Sequence, residues 1–202
     1  MTVRVKICGI TRVEDARAAI EAGADMIGLN FYAESPRYID ISRAREIREA
    51  IGARATVVGV FVKAARAYID DRLRAASLDM LQFSGDEEAA ALAGWPVPSI
   101  GARRLRPGER LSVTPHRGDY VLFDAFNEKL LGGTGSRIPL DQLRVLDLSR
   151  AFVAGGLNPN NVAEVAALEP YAVDCASGVE SSPGVKDHNK LRSFVNNAKR
   201  SR

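Results

Sequence analysis

Residues 3–11 of the chain, VRVKICGIT, contain the pattern that decides the fold. Alternation along a strand places the apolar residues up to Ile7 on one face, and Lys6 and Cys8 on the other. A glycine then ends the strand, and the alanine-rich stretch over residues 13–22 predicts an amphipathic helix. A strand followed directly by a helix is the repeating unit of parallel α/β folds.

The same unit recurs along the rest of the chain. Further strands are predicted over residues 25–31, 55–62, 80–84, 97–102, 120–124, 151–154 and 171–174. Helices are predicted over residues 42–51, 66–76, 140–146, 161–167 and 188–198, and another is expected to begin at the acidic residues 86–88. Residues 107–118 hold two prolines and two glycines, which predicts a short or irregular fifth crossover helix.

Eight strands with interleaved helices predict an α/β protein, a single closed (β/α)₈ barrel or TIM barrel, with one catalytic domain over residues 1–202. The length of 202 residues lies at the lower end for this fold, so the connections must be short. A doubly wound open sheet is the alternative. The GxGxxG motif of dinucleotide-binding folds does not follow the first strand, which makes that alternative less attractive.

Composition and charge narrow the classes of function. The net charge of +3 comes without a basic stripe interleaved with aromatic residues, so no nucleic-acid partner is expected. No apolar run approaches the ~20 residues of a membrane span, so no membrane partner is expected either. Cys8 and Cys175 form no CxxC pair, which favours a reducing cytoplasm. His116 and His188 lack metal-ligand spacing, and monomer and homodimer both fit the sequence.

Two side chains at strand ends are candidates for acid–base chemistry. Cys8 ends the first strand, and Asp124 ends the sixth, where it shares a face with Leu122. Barrel enzymes keep their catalytic groups at the carboxyl ends of the strands, and a cysteine acts as a base or nucleophile when its surroundings favour the thiolate. A core cysteine and an aspartate that caps a turn or helix are the alternative interpretations.

Two glycine-containing loops follow the predicted strands seven and eight. Gly155 and Gly156 follow the seventh strand, and Ser177 and Gly178 follow the eighth. Glycines let the backbone approach a ligand closely, and barrels often hold a phosphate at these two loops. These four residues are therefore the candidate phosphate site. A third glycine cluster, residues 132–135, fits either a mobile lid or a flexible connection.

Eight short motifs stand in order along the chain. They are VKICGIT at residues 5–11, SPRYI at 35–39, GVFV at 59–62, LFD at 122–124, GGTG at 132–135, AGGLNPNNV at 154–162, DCASGVE at 174–180 and SPGVKD at 182–187. Together they resemble the phosphoribosylanthranilate isomerase family of tryptophan biosynthesis. The resemblance spans nearly the whole chain, and the first motif together with the SGVE segment is specific.

The resemblance implies an Amadori rearrangement of phosphoribosylanthranilate, a phosphorylated small molecule, without a metal or an organic cofactor. It assigns Asp124 as the general acid that protonates the ribose ring oxygen and Cys8 as the general base that removes the C2 proton. It also assigns Arg37 to the anthranilate carboxylate, which suits a planar guanidinium, and the two glycine loops to the phosphate. A barrel that binds a sugar phosphate without catalysis, or another sugar-phosphate isomerase, is the alternative.

Residues 140–142 lack the aromatic pair that is usual around their aspartate in the family, and two further positions also depart from its pattern. Ser84 stands where relatives usually carry histidine, and Gly101 stands where lysine is common. A free cysteine has a pKa of ~8.5 and a free aspartic acid ~3.9, yet the reaction needs a thiolate and a carboxylic acid. We expect burial of Asp124 and cations around Cys8, with Lys6 as a candidate, to bring the two pKa values toward each other.

Overall fold

A closed barrel of eight parallel strands is the centre of the computed structural model, which describes residues 3–105, 118–125 and 140–200. Each strand pairs with the next along the chain, and β8 pairs with β1. The strands are β1 (Arg4–Ile7), β2 (Met26–Asn30), β3 (Thr56–Phe61), β4 (Met80–Phe83), β5 (Ser99–Leu105), β6 (Tyr120–Ala125), β7 (Ala151–Val153) and β8 (Ala172–Cys175).

Helices connect the strands along the chain, as the sequence predicts. They are α1 (Val13–Glu21), α2 (Ile41–Ile51), α3 (Arg66–Ala75), α4 (Ala89–Leu92), α5 (Leu140–Leu143), α6 (Val162–Ala166) and α7 (His188–Arg200). The predicted (β/α)₈ barrel is therefore confirmed. The predicted irregular crossover over residues 107–118 lies outside the described residues except for Gly118, and the glycine cluster at 132–135 lies wholly outside them.

Alternation along the strands separates two apolar layers. The layer inside the barrel consists of Met26, Val58, Met80, Ile100, Ala102, Leu122, Phe152, Ala154 and Ala172. The outer layer lies between the strands and the helices, and it contains Val5 and Ile7 of β1 together with Ala16 and Ala19 of α1. Lys6, between the two outward residues of β1, is fully buried. The two faces predicted for the first strand are confirmed.

Aspartates close the end of the barrel where the strands begin. Three of them precede an even-numbered strand, and each accepts a hydrogen bond from a backbone amide of the strand before it. The pairs are Asp25 with Val5, Asp79 with Val57 and Asp119 with Ser99, each at 2.8 Å. This repeated contact joins neighbouring strands at the end of the barrel opposite to Cys8 and Asp124.

Two elements differ from their predicted bounds. Strand β5 extends to Leu105, beyond the predicted 97–102, because Arg103 and Arg104 pair in register with β6. The helix expected to begin at residues 86–88 begins at Ala89 instead. The Glu87 carboxylate accepts the backbone amides of Gly85 and Lys63 at 2.8 and 2.7 Å, so these acidic residues form a turn.

A short hairpin after β8 was not predicted. A 3₁₀ helix over Ser177–Val179 leads into β9 (Glu180–Ser182), which pairs with the antiparallel strand β10 (Val185–Lys186). Gly184 occupies the turn between them with a φ of +81°. The sequence of this segment lacks the apolar alternation that marks longer strands, since both strands are only two or three residues long.

Among the residues that the structure describes, we find no helix of the length and apolarity that a membrane crossing requires.

Replacing Asp79 with alanine is expected to lower the free energy of unfolding by about 1–3 kcal/mol, because the Val57 amide in the barrel wall loses its acceptor. The Arg48 guanidinium, 2.8 Å from the Asp79 carboxylate, also loses its partner. Urea titration followed by circular dichroism measures the change. Asp71→Ala is the matched control, because Asp71 on α3 is 63% exposed and such surface changes stay within about 0.5 kcal/mol. Equal losses in the two variants would contradict the prediction.

Candidate functional site

Cys8 lies directly after β1 at the mouth of the barrel, by which we mean the end where the strands finish. Its backbone amide donates to the Cys175 carbonyl at 2.8 Å, which continues the pairing of β1 with β8. The thiol packs against Gly28 of β2, where a Cβ atom would lie 2.7 Å from the sulfur. A residue without a side chain is therefore required at position 28 for the thiol to occupy this position.

A buried ion pair adjoins the thiol. The Lys6 ammonium nitrogen lies 3.0 Å from both carboxylate oxygens of Asp174, and the two side chains are 0% and 7% exposed. The Lys6 charge also acts on Cys8, where it favours the lower pKa of a thiolate. The sequence analysis named Lys6 as a candidate for this influence. Asp174, on the last strand, was not expected to take part.

Burial dominates the electrostatics of the thiol. It raises the pKa of Cys8 above its ordinary value, and the opposing charges of Lys6 and Lys186 do not outweigh it. Asp174 adds to the upward shift because its negative charge disfavours the thiolate. The expectation that nearby cations would lower this pKa is therefore wrong in its net direction.

Asp124 lies at the same mouth on β6. The sequence analysis placed it on the same face as Leu122, which belongs to the layer inside the barrel, so this face is the inward one. Strands β6 and β1 are separated by β7 and β8 around the barrel. A ligand in the mouth would therefore lie between Asp124 and Cys8.

Strands β4 and β5 contribute further polar groups near Asp124. Arg104, in register with Asp124, donates to the Ser84 carbonyl at 2.6 Å and to Asp86 at 3.3 Å. Ser84 accepts a hydrogen bond from the Gln82 side-chain amide at 3.1 Å. The Gln82 side-chain oxygen is buried without a partner in the described part of the chain, so a bound water or hydroxyl group would satisfy it.

The loop after β7 has a backbone shape that requires glycine at two positions. Gly155 and Gly156 adopt φ values of +83° and +63°, in the left-handed region that favours glycine. The Gly156 carbonyl accepts a hydrogen bond from the Asn161 side-chain amide at 3.0 Å. The loop is thus held from the start of α6, and the two glycines keep a backbone shape that other residues rarely adopt.

The loop after β8 lies directly against the loop after β7. A Cβ atom at Gly178 would overlap the Leu157 carbonyl oxygen, so glycine is needed for the two backbones to meet. The Cys175 thiol donates to the same oxygen at 3.1 Å. Ser177 begins the 3₁₀ helix beside this contact. The two loops that carry the candidate phosphate residues are therefore in direct contact, through Gly178 and Leu157.

Arg37 lies between β2 and α2 and is held in one orientation. Its Nε and Nη2 atoms donate to the two carboxylate oxygens of Glu180 at 2.8 and 2.7 Å. The arginine stem crosses Gly9, where a Cβ atom would overlap the Arg37 Cδ atom. Burial would raise the pKa of Glu180, but Arg37 and Lys186 outweigh it and lower that pKa. Within the described ranges, Arg37 Nη1 forms no hydrogen bond, so it remains for a ligand.

Four residues of this site were missed by the sequence analysis: Gly28, Asp174, Glu180 and Lys186. Glu180 and Lys186 stand within motifs that carry the family resemblance, which was the signal available for them. Gly28 could have been noticed as a glycine inside a strand, a feature that often marks the close approach of another group. Within the described residues, no group of three histidine, cysteine, aspartate or glutamate side chains could hold a metal ion.

The closed barrel, with its polar groups gathered where the strands finish, defines a (β/α)₈-barrel enzyme. The chain matches the family model described as N-(5'phosphoribosyl)anthranilate (PRA) isomerase over residues 5–197. A protein of Pseudomonas fluorescens named N-(5'-phosphoribosyl)anthranilate isomerase is 47% identical, covering 96% of this chain and 97% of the relative. One of the same name from Pseudomonas paraeruginosa is 49% identical, with coverage of 96% and 93%. The chain belongs to the PRA isomerase family.

Solved structures agree with this assignment. The phosphoribosyl anthranilate isomerase of Thermotoga maritima superimposes with a TM-score of 0.83 at 30% identity, covering 98% of this chain and 99% of that one. The enzyme of Thermus thermophilus gives 0.80 at 35% identity, with coverage of 96% and 98%. A 3-hexulose-6-phosphate synthase from Salmonella typhimurium, at 16% identity and a TM-score of 0.65 over 100% of both chains, shares the fold alone.

Replacing Gly28 with alanine is expected to displace the Cys8 thiol and to lower kcat/KM on the order of 10²-fold, the cost of moving a reacting group by about 1 Å. Steady-state kinetics of the purified variant measures this loss. Gly59→Ala is the matched control, because its Cβ atom would meet Leu78 and Phe61 in the outer layer. That variant should lose stability but keep its turnover per folded molecule. Full activity of Gly28→Ala would refute the steric argument.

Alkylation of Cys8 by iodoacetamide should keep accelerating above pH ~8.5, the pKa of a free cysteine, because burial raises the pKa of this thiol. Peptide mapping by mass spectrometry separates this reaction from that of Cys175. Cys175 is buried whereas Cys8 is partly exposed, so Cys175 should react more slowly throughout, and burial raises its pKa to about 12. A plateau in the Cys8 rate below pH ~8 would contradict the assigned direction.

Proposed function

We propose that this chain catalyses the isomerisation of N-(5'-phosphoribosyl)anthranilate to 1-(2-carboxyphenylamino)-1-deoxyribulose 5-phosphate in tryptophan biosynthesis, with Cys8 as the general base and Asp124 as the general acid. The observation that carries the proposal is the placement of these two side chains. They stand at the ends of β1 and β6, two strands that β7 and β8 separate around the barrel, so both lie at the same mouth.

The reaction begins with a proton from Asp124. As a carboxylic acid, Asp124 protonates the ribose ring oxygen while the bond from that oxygen to C1 breaks. The anilino nitrogen supplies the electron pair that forms a C=N bond, which gives a protonated Schiff base. The Cys8 thiolate then removes the C2 proton, and the electrons of that C–H bond form a C1=C2 double bond and neutralise the nitrogen. Transfer of a proton to C1 and loss of the hydroxyl proton at C2 yield the aminoketone.

The ends of the substrate carry two anions, and the site offers a partner for each. One related structure is a complex with reduced 1-(o-carboxyphenylamino)-1-deoxyribulose 5-phosphate, 32% identical with a TM-score of 0.77, covering 98% of this chain and 99% of that chain. Such a molecule has an aromatic carboxylate at one end and a phosphate at the other. We assign the carboxylate to the outer edge of Arg37, and the phosphate to Gly155, Gly156, Ser177 and Gly178.

The thiol needs help to act as a base, because burial raises its pKa. The Lys6 ammonium group, paired with Asp174, opposes that shift through its positive charge and so favours the thiolate. Neither proton transfer requires an organic cofactor, so the chemistry rests on these side chains.

The test is turnover of N-(5'-phosphoribosyl)anthranilate, followed by loss of its fluorescence, in the parent, Cys8→Ala and Asp124→Asn. Each variant is expected to lose at least ~10²-fold in kcat, since each removes one proton-transfer group. Asp124→Asn should leave KM nearly unchanged, because the lost interaction acts mainly in the transition state.

Asp119→Asn is the matched control for the aspartate, because Asp119 lies at the other end of β6 and binds the Ser99 amide. It should retain the parent turnover in its folded fraction. A folded parent that binds the sugar phosphate but does not turn it over would favour a barrel that only binds this ligand. Turnover that survives in Cys8→Ala would remove the base assignment and keep the isomerase.

A further inference from the structure

Lys186 occupies an unusual position for a lysine. It lies on β10, in the hairpin after β8, and its side chain is fully buried. Its ammonium nitrogen donates to the Cys8 carbonyl at 2.7 Å, to the Ala176 carbonyl at 3.1 Å and to the Glu180 carboxylate at 2.9 Å. An ammonium group has three donors, so all of them are used.

The three acceptors belong to three different parts of the site. The first is the backbone of Cys8, the assigned base. Ala176 directly precedes the 3₁₀ helix of the phosphate loop. Glu180 holds Arg37, the assigned partner of the substrate carboxylate, through two hydrogen bonds. The buried ammonium group of Lys186 therefore contacts the backbone of the assigned base, the start of the phosphate loop and the carboxylate that orients Arg37.

We propose that Lys186 is a positioning residue of the isomerase, whose ammonium group fixes Cys8, the phosphate loop and the Arg37 guanidinium relative to one another. The inference rests on the proposed function, and it adds a residue that makes no contact with substrate. The lysine acts through backbone carbonyls and through Glu180.

The free energy of burial supports a functional role for this group. A buried ammonium ion is costly unless its charge and donors are matched, and well-packed apolar side chains often replace buried ion pairs at no loss of stability. A residue needed only to fill space at position 186 would therefore be apolar. The charges also suit the site. Arg37, Lys186 and Glu180 together carry a net charge of one positive unit, and the proposed ligand carries two anionic groups.

The hairpin is also held by contacts that do not involve the Lys186 side chain. The backbone amide of Lys186 donates to the buried Asp15 carboxylate at 3.1 Å. Thr11 donates to the Gly184 carbonyl at 2.5 Å, and Lys190 donates to the Glu180 carbonyl at 3.0 Å. A substitution of the Lys186 side chain therefore leaves the hairpin attached to α1 and α7.

The test begins with Lys186→Met, which keeps the length of the side chain and removes its charge and donors. We expect a folded protein whose kcat/KM falls on the order of 10²-fold, with kcat lowered and KM raised, because base and binding groups both move. We also expect slower alkylation of Cys8 by iodoacetamide, with its pH midpoint moved upward, because a neighbouring positive charge is lost. Lys199→Met, which breaks the ion pair with Asp25 at the opposite end of the barrel, is the control and should match the parent.

Glu180→Gln separates the effect of Lys186 on Arg37, which passes through Glu180, from its effect on Cys8. A glutamine keeps an oxygen for Lys186 but pairs poorly with the Arg37 fork, so KM should rise by about 10-fold or more. The contact between Lys186 and the Cys8 carbonyl remains, so the alkylation rate at Cys8 should change little. Lys186→Arg should also have lower activity than the parent, because a planar guanidinium cannot donate hydrogen bonds to the same three acceptors.

A folded Lys186→Met variant with the kcat, KM and alkylation profile of the parent would overturn the proposal. If Lys186→Met does not fold, the same measurements are made on Lys186→Arg. The kcat, KM and alkylation profile of the parent in that folded variant would overturn the proposal, and changes in both KM and alkylation would support it. Alkylation of Cys8 does not depend on turnover. If the parent is inactive, the proposed function fails. Slower alkylation of Cys8 in Lys186→Met would still support the positioning of Cys8 by Lys186, and an unchanged alkylation rate would contradict it.

Discussion

Closure of the barrel between its first and last strands is the constraint on which the rest of the structure depends. Strands β1 and β8 pair in parallel, and the buried Lys6–Asp174 ion pair joins them from the inside. Each charge in this pair compensates the other, and the loss of either would leave an uncompensated charge in the barrel. The assigned base follows β1 and half of the phosphate site follows β8, so the site exists only where this junction is made.

The same junction is supported from outside by the hairpin that follows β8. Lys186 contacts the end of β1, and Glu180 reaches Arg37 in the connection after β2. The positive charges of Lys6 and Lys186 both favour the Cys8 thiolate, yet burial still raises the pKa of this thiol.

Periodicity and strand-end position were enough to predict the barrel, the two faces of the first strand, and the strands after which Cys8, Asp124 and the two glycine loops stand. These features follow from alternation and from the common direction of parallel strands. The contacts of Glu180 and Lys186 could not be predicted, because they join residues 143 and 178 positions apart through long side chains. The pKa direction of Cys8 was mistaken because depth of burial depends on the packed barrel. The length of β5 was missed since its last residues are arginines held by pairing with β6.

The aspartates at the start of β2, β4 and β6 have a consequence for the order in which the molecule assembles. Their contacts span 20 to 22 residues, whereas the Lys6–Asp174 contact spans 168. Short-range contacts form with a smaller loss of chain entropy, so pairs of neighbouring strands can gain structure before the ring is complete. The groups assigned to catalysis and phosphate binding straddle the long-range junction. A partly folded chain therefore possesses strands and helices but no working mouth, and catalytic competence belongs only to the finished ring.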